Sequence, residues 1–190
     1  TTFTEKAKPS SRTSAAAAGV VVIPADLLGV RPVPAPADME ELGRMLGAVL
    51  EPGDVVVLTG PLGAGKTTLT RGIGEGLQVR GPIQSPTFVI ARTHPSLRPG
   101  GGPPLVHVDA YRLGSADELD DLDIDLAHSV VIVEWGATHV AVIADTWWEI
   151  EFDREWHGRG VDTACGTYSR ATEELDADSP RLVTISHRSA

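Results

Sequence analysis

Apolar and polar residues recur with different periods along the chain, and each period predicts one kind of element. Runs that are almost entirely apolar predict buried strands at about 54–59 and 105–109, and the run SVVIVEWG predicts a third that ends on Glu134. Two later segments, TWWEIEFD and RLVTISH, alternate between apolar and polar positions and predict two further strands near the end of the chain. Between 39 and 50 the apolar residues follow helical spacing, with Asp38 as the expected N-cap. The predicted core positions of that helix are Met39, Leu42, Met45, Leu46, Val49 and Leu50.

Several shorter sequence patterns predict further strands and the start of another helix. The run SPTFVIARTH predicts a strand at about 87–93, and the run VVVI predicts a short strand at 20–23. Ser115 is followed three residues later by Glu118, which is the signature of a capping box and predicts the start of a helix. The acidic residues that follow, up to Asp125, are typical of a solvated helical face.

A strand, a glycine-rich loop and a helix follow one another in the region after Asp54. The helix should begin near Thr67 and end near Gly76. With further apolar strands downstream, this order predicts a three-layer α/β P-loop NTPase fold whose central sheet is mostly parallel and has antiparallel edge strands. We expect residues 1–18 to form a flexible tail and residues 19–190 to form a single domain.

Composition narrows the classes of function. The chain has 190 residues, of which 42% are hydrophobic, so it can build a core of ordinary size. Its formal net charge of -10 makes it a poor candidate for binding nucleic acid by itself. Cys165 is the single cysteine, so no intrachain disulfide can form. No apolar run reaches the length of a membrane span.

The stretch GPLGAGKTT matches the phosphate-binding pattern G-x-x-x-x-G-K-S/T at Gly60, Gly65, Lys66 and Thr67. Glycines let the backbone curl so that successive N–H groups face the phosphates, and the following helix points the positive end of its dipole at the same place. Lys66 would reach the β- and γ-phosphates, and the Thr67 hydroxyl would bind magnesium. The sequence therefore predicts a nucleotide site.

Two carboxylates, Asp109 and Glu134, stand at the ends of apolar runs. In an open α/β sheet the carboxyl ends of the strands line the ligand crevice. A carboxylate there can hold Mg²⁺ or orient the attacking water, and the sequence leaves open which of the two activates water.

Two further residues are candidates near the site. Thr87, in the segment SPTF, either senses the γ-phosphate and magnesium or belongs to a turn that leads into a strand. Trp135 follows Glu134 directly and is expected to lie partly exposed at the mouth of the crevice. The six histidines show no metal-ligand spacing, and no N-K-x-D motif supports guanine specificity.

The segments GPLGAGKTT, SPTF, HVDAYRL and VIVEWG occur in this order over about residues 35–152, and together they resemble the TsaE (formerly YjeE) family. That family comprises small bacterial P-loop ATPases of tRNA threonylcarbamoyladenosine biosynthesis. The resemblance implies a cytoplasmic ATPase with weak intrinsic turnover that uses ATP/ADP and Mg²⁺. It also implies action on a TsaB–TsaD-type protein pair, which modifies adenosine 37, so that tRNA is met only through the partners.

The resemblance also implies roles for individual residues. Magnesium ligands would be Thr67 and Glu134, and Lys66, Asp109, Glu134 and Thr87 would serve catalysis. Arg181, or else Arg159, would correspond to an arginine that touches the nucleotide. The candidate nucleotide-binding residues are Leu62, Gly63, Ala64, Gly65, Lys66, Thr67 and Thr68.

Two other functions stay open at this stage. A small-molecule phosphotransferase would use the SPTF segment and the Pro/Gly-rich loop after it as an acceptor pocket. A nucleotide-gated binding module would change its partners with the nucleotide, and its hydrolysis would be incidental.

Overall fold

The computed structural model describes residues 23–86, 88–154 and 180–190. The predictions for residues 1–18 and for Thr87, Arg159 and Cys165 therefore lie outside the described residues. The strands are β1 (Gly29–Val33), β2 (Val55–Thr59), β3 (Ala91–His94), β4 (Leu105–Asp109), β5 (Val130–Glu134), β6 (Thr146–Asp153) and β7 (Arg181–Ser189). The α-helices are α1 (Pro36–Val49), α2 (Lys66–Leu77) and α3 (Ala116–Asp120). Short 3-10 turns occupy Ala110–Arg112, Leu126–His128 and Val140–Val142.

The strands form one seven-stranded sheet in the order β1-β7-β6-β2-β5-β4-β3. Strands β6, β2, β5 and β4 run parallel to one another, whereas β7 pairs antiparallel with β6 and β1, and β3 pairs antiparallel with β4. The predicted fold, a mostly parallel sheet with antiparallel edge strands, is confirmed.

Helices cover both faces of the sheet and give three layers. On one face α1 and α2 pack on apolar residues of β2, β4, β5, β6 and β7, with Leu46, Leu69 and Ile73 at the centre. The other face carries α3 and the turn at Val140–Val142. Glycines let α1 and α2 approach closely, because a Cβ at Gly47 would overlap the carbonyl oxygen of Ile73.

The register of the parallel strands brings their carboxyl ends to one edge of the sheet. Glu134 at the end of β5 lies opposite Leu58 of β2 on one side and opposite Asp109 of β4 on the other. The loop that leaves β2 therefore starts beside both carboxylates, as expected for strand ends in an open α/β sheet.

Several predicted boundaries were wrong at the start of the chain. Of the strand predicted at 20–23, only Ile23 falls within the described residues, and it is in no strand. The first strand that the structure describes is β1, at Gly29–Val33, where Pro32 is tolerated because the strand is at the sheet edge. Helix α1 begins at Pro36, a favoured first residue, rather than after Asp38. The Asp38 carboxylate still stabilises this end, since it accepts a hydrogen bond from the Ala35 amide at 3.0 Å. Met45, one of the predicted core positions, is exposed.

Two later predictions were also wrong in part. The strand expected at 87–93 is shorter and begins at Ala91, because Phe88–Ile90 form a turn in which Ile90 has a φ of 66°. Helix α3 has five residues, and the Ser115 side chain makes no capping hydrogen bond; the Glu118 carboxylate accepts from the Gly114 amide instead. Among residues 23–86, 88–154 and 180–190, no helix combines the length and apolar character needed to cross a membrane.

Candidate nucleotide-binding site

The loop between β2 and α2 has the backbone shape that phosphate binding requires. Gly63 and Gly65 adopt left-handed conformations, with φ of 73° and 107°, that residues with a Cβ rarely enter. Gly65 is also the N-cap of α2, and it brings no side chain to cover the helix N-terminus. The amides and the positive end of the helix dipole are therefore directed toward a ligand at this loop.

Lys66, the first residue of α2, is buried at this loop. Its ammonium Nζ donates to the carbonyl oxygens of Gly60 at 2.8 Å and Pro61 at 3.0 Å. Burial lowers the Lys66 pKa below 10.5, and the negative charges of Glu134 and Asp109 oppose that shift. The lysine thus lies within the electrostatic field of both carboxylates.

Thr67 and Glu134 meet directly. The Thr67 hydroxyl donates to Oε1 of Glu134 at 3.2 Å, and Glu134 itself is buried. A hydroxyl and a carboxylate oxygen are ligands that Mg²⁺ accepts, and Mg²⁺ in proteins commonly takes one or two such side chains together with substrate phosphates. The Thr67 hydroxyl and the Glu134 carboxylate therefore fit as ligands of a magnesium ion that arrives with a nucleotide.

His107 contacts the same carboxylate, although its spacing in the sequence predicts no site. It is fully buried, and its Nε2 lies 2.9 Å from Oε1 of Glu134. The strand period could have found it, because His107 lies two residues before Asp109 on β4 and therefore points to the same face of the sheet.

Asp109 is also buried, and its position is fixed by the chain that follows it. Its Oδ1 accepts a hydrogen bond from the Tyr111 amide at 3.1 Å, which caps the short turn at Ala110–Arg112. The carboxylate therefore has a local backbone partner and still lines the cavity described below.

Trp135 is partly exposed, as expected. Its backbone is left-handed, with a φ of 64°, and its amide donates to the Leu58 carbonyl at 3.1 Å. The indole makes an edge contact with the ring of Tyr111, with 5.5 Å between centroids, and lies beneath the Lys66 ammonium. The indole of Trp135 thus contacts both the Lys66 ammonium and the Tyr111 ring beside the phosphate-binding loop.

These side chains surround one open cavity of about 640 Å³, a size suited to a nucleotide. The predicted phosphate-binding residues from Leu62 to Thr68 line this cavity together with Asp109 and Glu134, whereas Thr87 lies outside the described residues. The lining residues are Leu62, Gly63, Ala64, Gly65, Lys66, Thr67, Thr68, Ser85, Asp109, Tyr111, Glu134 and Trp135.

A smaller cavity of about 170 Å³ lies against the same loop, next to Gly63 and Thr68. Arg181, the first residue of β7, is buried and lines this cavity together with Met39. Of the two arginines predicted as alternatives, Arg181 is therefore beside the phosphate-binding loop, and Arg159 lies outside the described residues. Arg154 was not predicted, yet its guanidinium donates to the Leu62 carbonyl at 2.8 Å.

Comparison with known proteins identifies the family. A family model described as "Threonylcarbamoyl adenosine biosynthesis protein TsaE" matches residues 33–161. The chain belongs to the TsaE family. A TsaE protein of Streptomyces coelicolor is 60% identical over 119 residues, which cover 61% of this chain and 79% of that protein. A TsaE protein of Mycobacterium tuberculosis is 48% identical over 149 residues, which cover 74% and 86% of the two chains.

A solved structure agrees with this assignment to the TsaE family. The crystal structure of Bacillus subtilis YdiB superimposes with a TM-score of 0.56 at 25% identity and covers 85% of each chain. The resemblance found in the sequence is therefore confirmed, and the matched region is slightly longer than the expected residues 35–152.

Proposed function

We propose that this TsaE chain is an ATP-binding and ATP-hydrolysing switch protein required for the N6-threonylcarbamoyladenosine modification of tRNA at adenosine 37. The observation that carries the proposal is that the loop lysine, Lys66, lies beside the hydrogen-bonded pair Thr67 and Glu134 in one cavity. The pathway follows from the family, whose relatives are named for tRNA threonylcarbamoyladenosine biosynthesis. In this proposal the protein does not transfer the threonylcarbamoyl group itself.

Binding depends on groups that neutralise phosphate charge. The loop from Leu62 to Thr68 presents its amides to the phosphates, and Lys66 exchanges its carbonyl partners for the β- and γ-phosphate oxygens. Thr67 and Glu134 hold Mg²⁺, which supplies further neutralisation of the phosphate charge. Arg181 contacts the nucleotide from the neighbouring cavity.

Hydrolysis needs a group that orients the attacking water, and we assign that role to Asp109. Glu134 is already engaged by Thr67 and His107, whereas Asp109 accepts one backbone hydrogen bond and borders the same cavity. Lys66 lies near both carboxylates and stabilises the charge that develops on the phosphates. Thr87 is proposed to sense the γ-phosphate.

The partner proposed for this chain is a TsaB–TsaD-type protein pair in the cytoplasm. The net charge of -10 suits a chain that binds proteins and leaves the tRNA to them. Two apolar residues at the cavity, Leu62 and Tyr111, are 85% and 71% exposed. A protein partner that covered them would bury apolar surface next to the nucleotide.

Reconstitution of tRNA modification with the TsaB–TsaD pair under multiple-turnover conditions tests the proposal. Wild-type protein with ATP should sustain modification, and Lys66→Ala should weaken ATP binding by about 10- to 100-fold, as expected when a charge-assisted hydrogen bond is lost. Arg71→Ala is the matched control, because it removes one positive charge from the same helix, where Arg71 pairs with Glu40. Full binding and full support of modification by Lys66→Ala would refute the proposal.

Two outcomes would favour other functions. ADP formation that depends on one added small-molecule acceptor would indicate a phosphotransferase. Many rounds of modification with a non-hydrolysable ATP analogue would indicate a nucleotide-gated binding module in which hydrolysis is dispensable.

A further inference from the structure

The imidazole of His107 lies at a fully buried strand position, which an apolar side chain usually occupies. Every residue of β4 is buried, and Leu105, on the same face, belongs to the apolar cluster under α1 and α2. Burying an imidazole among such residues costs free energy unless its polar atoms find partners. The ring finds one partner in Glu134, at 2.9 Å from Nε2.

The direction of this hydrogen bond follows from the chemistry of the two groups. An ionised carboxylate only accepts, so Nε2 of His107 carries the proton and donates to Oε1. Among the described residues, the other ring nitrogen, Nδ1, has no hydrogen-bond partner. The polar interaction of the buried ring is thus directed entirely at Glu134.

Both donors that reach this carboxylate bind the same oxygen. The Thr67 hydroxyl at 3.2 Å and His107 Nε2 at 2.9 Å both contact Oε1 of Glu134. Two bonds to one oxygen, from different elements, fix the rotation of the carboxylate about its Cγ–Cδ bond and leave Oε2 for a ligand in the cavity. The bond from β4 persists even when the Thr67 oxygen is taken by a ligand, because His107 is anchored in the sheet.

We propose that His107 is a positioning residue that orients the Glu134 carboxylate for the divalent cation shared by Thr67 and Glu134. This inference rests on the proposed nucleotide site, and it assigns to β4 a second contribution to that site besides Asp109. His107 does not touch the nucleotide, so it acts only through Glu134. Its loss should weaken the effect of Mg²⁺ on nucleotide binding and leave the binding of the phosphates by the loop intact.

Two substitutions separate this role from a general role in packing. His107→Leu replaces the imidazole by an apolar side chain of similar size and so removes the donor. His107→Gln places an N–H donor at nearly the position that Nε2 has in histidine. Titration calorimetry with ADP in EDTA and at a series of Mg²⁺ concentrations measures the effect. We expect His107→Leu to bind ADP in EDTA as the wild type does, and to need about 10- to 100-fold more Mg²⁺ for the same increase in affinity, as found for groups that orient metal ligands. His107→Gln should recover most of the loss.

The matched control is His128→Leu, because His128 is exposed and contacts Asp125 in a different part of the surface. A direct measurement on the wild-type chain, nitrogen NMR of labelled histidine, should find the proton of His107 on Nε2 and a shift of that signal when Mg²⁺ joins ADP. This measurement needs no variant and therefore decides the matter even if His107→Leu fails to fold.

The outcomes distinguish this inference from the nucleotide site on which it rests. Wild-type protein that bound no nucleotide in either condition would refute the site itself. Wild-type protein with a clear Mg²⁺ effect that His107→Leu retained in full, or a His107 proton found on Nδ1, would overturn the inference alone. Equal losses in the Leu and Gln variants would also overturn it, because they would point to packing rather than to the donor.

Discussion

The Lys66 ammonium lies 3.9 Å from the centroid of the Trp135 ring. This cation–π contact joins the residue that would bind phosphates to the residue after Glu134. The indole is fixed by its backbone, whose amide donates to Leu58, and by the edge of the Tyr111 ring. Phosphate oxygens would compete with the ring for the same ammonium, so the environment of Trp135 should depend on the nucleotide.

Tryptophan fluorescence measures this dependence. The chain has four tryptophans, and Trp147 and Trp148 are buried in β6. We expect ADP or ATP to change the emission of the wild-type protein and to leave that of Trp135→Phe nearly unchanged, because the change comes from the loss of the Lys66 contact. Trp148→Phe is the control and should keep the change. A full response in Trp135→Phe would contradict this assignment.

The lowered pKa of Lys66 predicts a pH dependence of nucleotide binding. Burial disfavours the charged form, so free protein loses this proton at a pH below 10.5, whereas bound phosphates favour the charged form and raise the pKa. Between the two pKa values the complex holds a proton that the free protein lacks. Affinity should therefore fall as pH rises through this window, and binding there should take up a proton.

Calorimetry in two buffers of different ionisation enthalpy measures this proton uptake at alkaline pH. The Lys66→Met variant should bind nucleotide more weakly, and residue 66 should then contribute no proton uptake on binding. Affinity that stayed constant up to the ordinary lysine value of 10.5 would refute the prediction.

Much of the site could be predicted because its signals are local. The spacing of Gly60, Gly65, Lys66 and Thr67 fixes the loop by its backbone requirements, and apolar runs that end on Asp109 and Glu134 fix the strand ends. Because parallel strands end at the same edge of a sheet, the two carboxylates could be expected to lie close together without knowledge of the tertiary contacts. The fold class followed from the same order of elements.

The rest depends on tertiary contacts that a single sequence does not display. Strand β1 exists because it pairs with β7, some 150 residues away, although its own residues include Gly29 and Pro32. The bond from His107 to Glu134 joins two strands, so it becomes visible only when their register is known. The helix predicted after Ser115 is short because its acidic residues offer no apolar face to bury. Leu119 is the one residue of α3 that is buried.

Asp109 and Glu134 should differ in what they contribute to the reaction. Asp109→Asn keeps the oxygen that accepts from the Tyr111 amide and removes the charge that orients water. We expect this variant to bind ATP in the presence of Mg²⁺ nearly as the wild type does and to hydrolyse it about 100-fold more slowly. Glu134→Gln should instead lose affinity in the presence of Mg²⁺, because a metal ligand loses its charge.

Single-turnover hydrolysis with the partner pair, together with calorimetry of the same variants, separates the two effects. The roles would be exchanged if Asp109→Asn lost its dependence on Mg²⁺ for binding while Glu134→Gln bound normally and failed only in hydrolysis. Equal behaviour of both variants would contradict the division of roles.

The close packing of α1 on α2 predicts a loss of stability that helix propensity alone would not give. Alanine is favoured over glycine inside a helix by about 1 kcal/mol. A methyl group at Gly47, however, would overlap the carbonyl oxygen of Ile73, so the two helices must separate. We expect Gly47→Ala to lower the free energy of unfolding by about 1–3 kcal/mol, measured by urea denaturation. Because α2 begins at Lys66, its displacement should also weaken nucleotide binding.

Gly114→Ala is the matched control for Gly47→Ala. There the added methyl group would first meet Oε1 of Glu118 at 3.3 Å, the end of a flexible side chain that can move away. This variant should stay within about 0.5 kcal/mol of the wild type, as expected for a surface substitution, and should bind nucleotide normally. If Gly47→Ala were as stable as the wild type, the helices would have room to adjust without cost. In that case the close approach of α1 and α2 would not fix the position of the helix that carries Lys66 and Thr67.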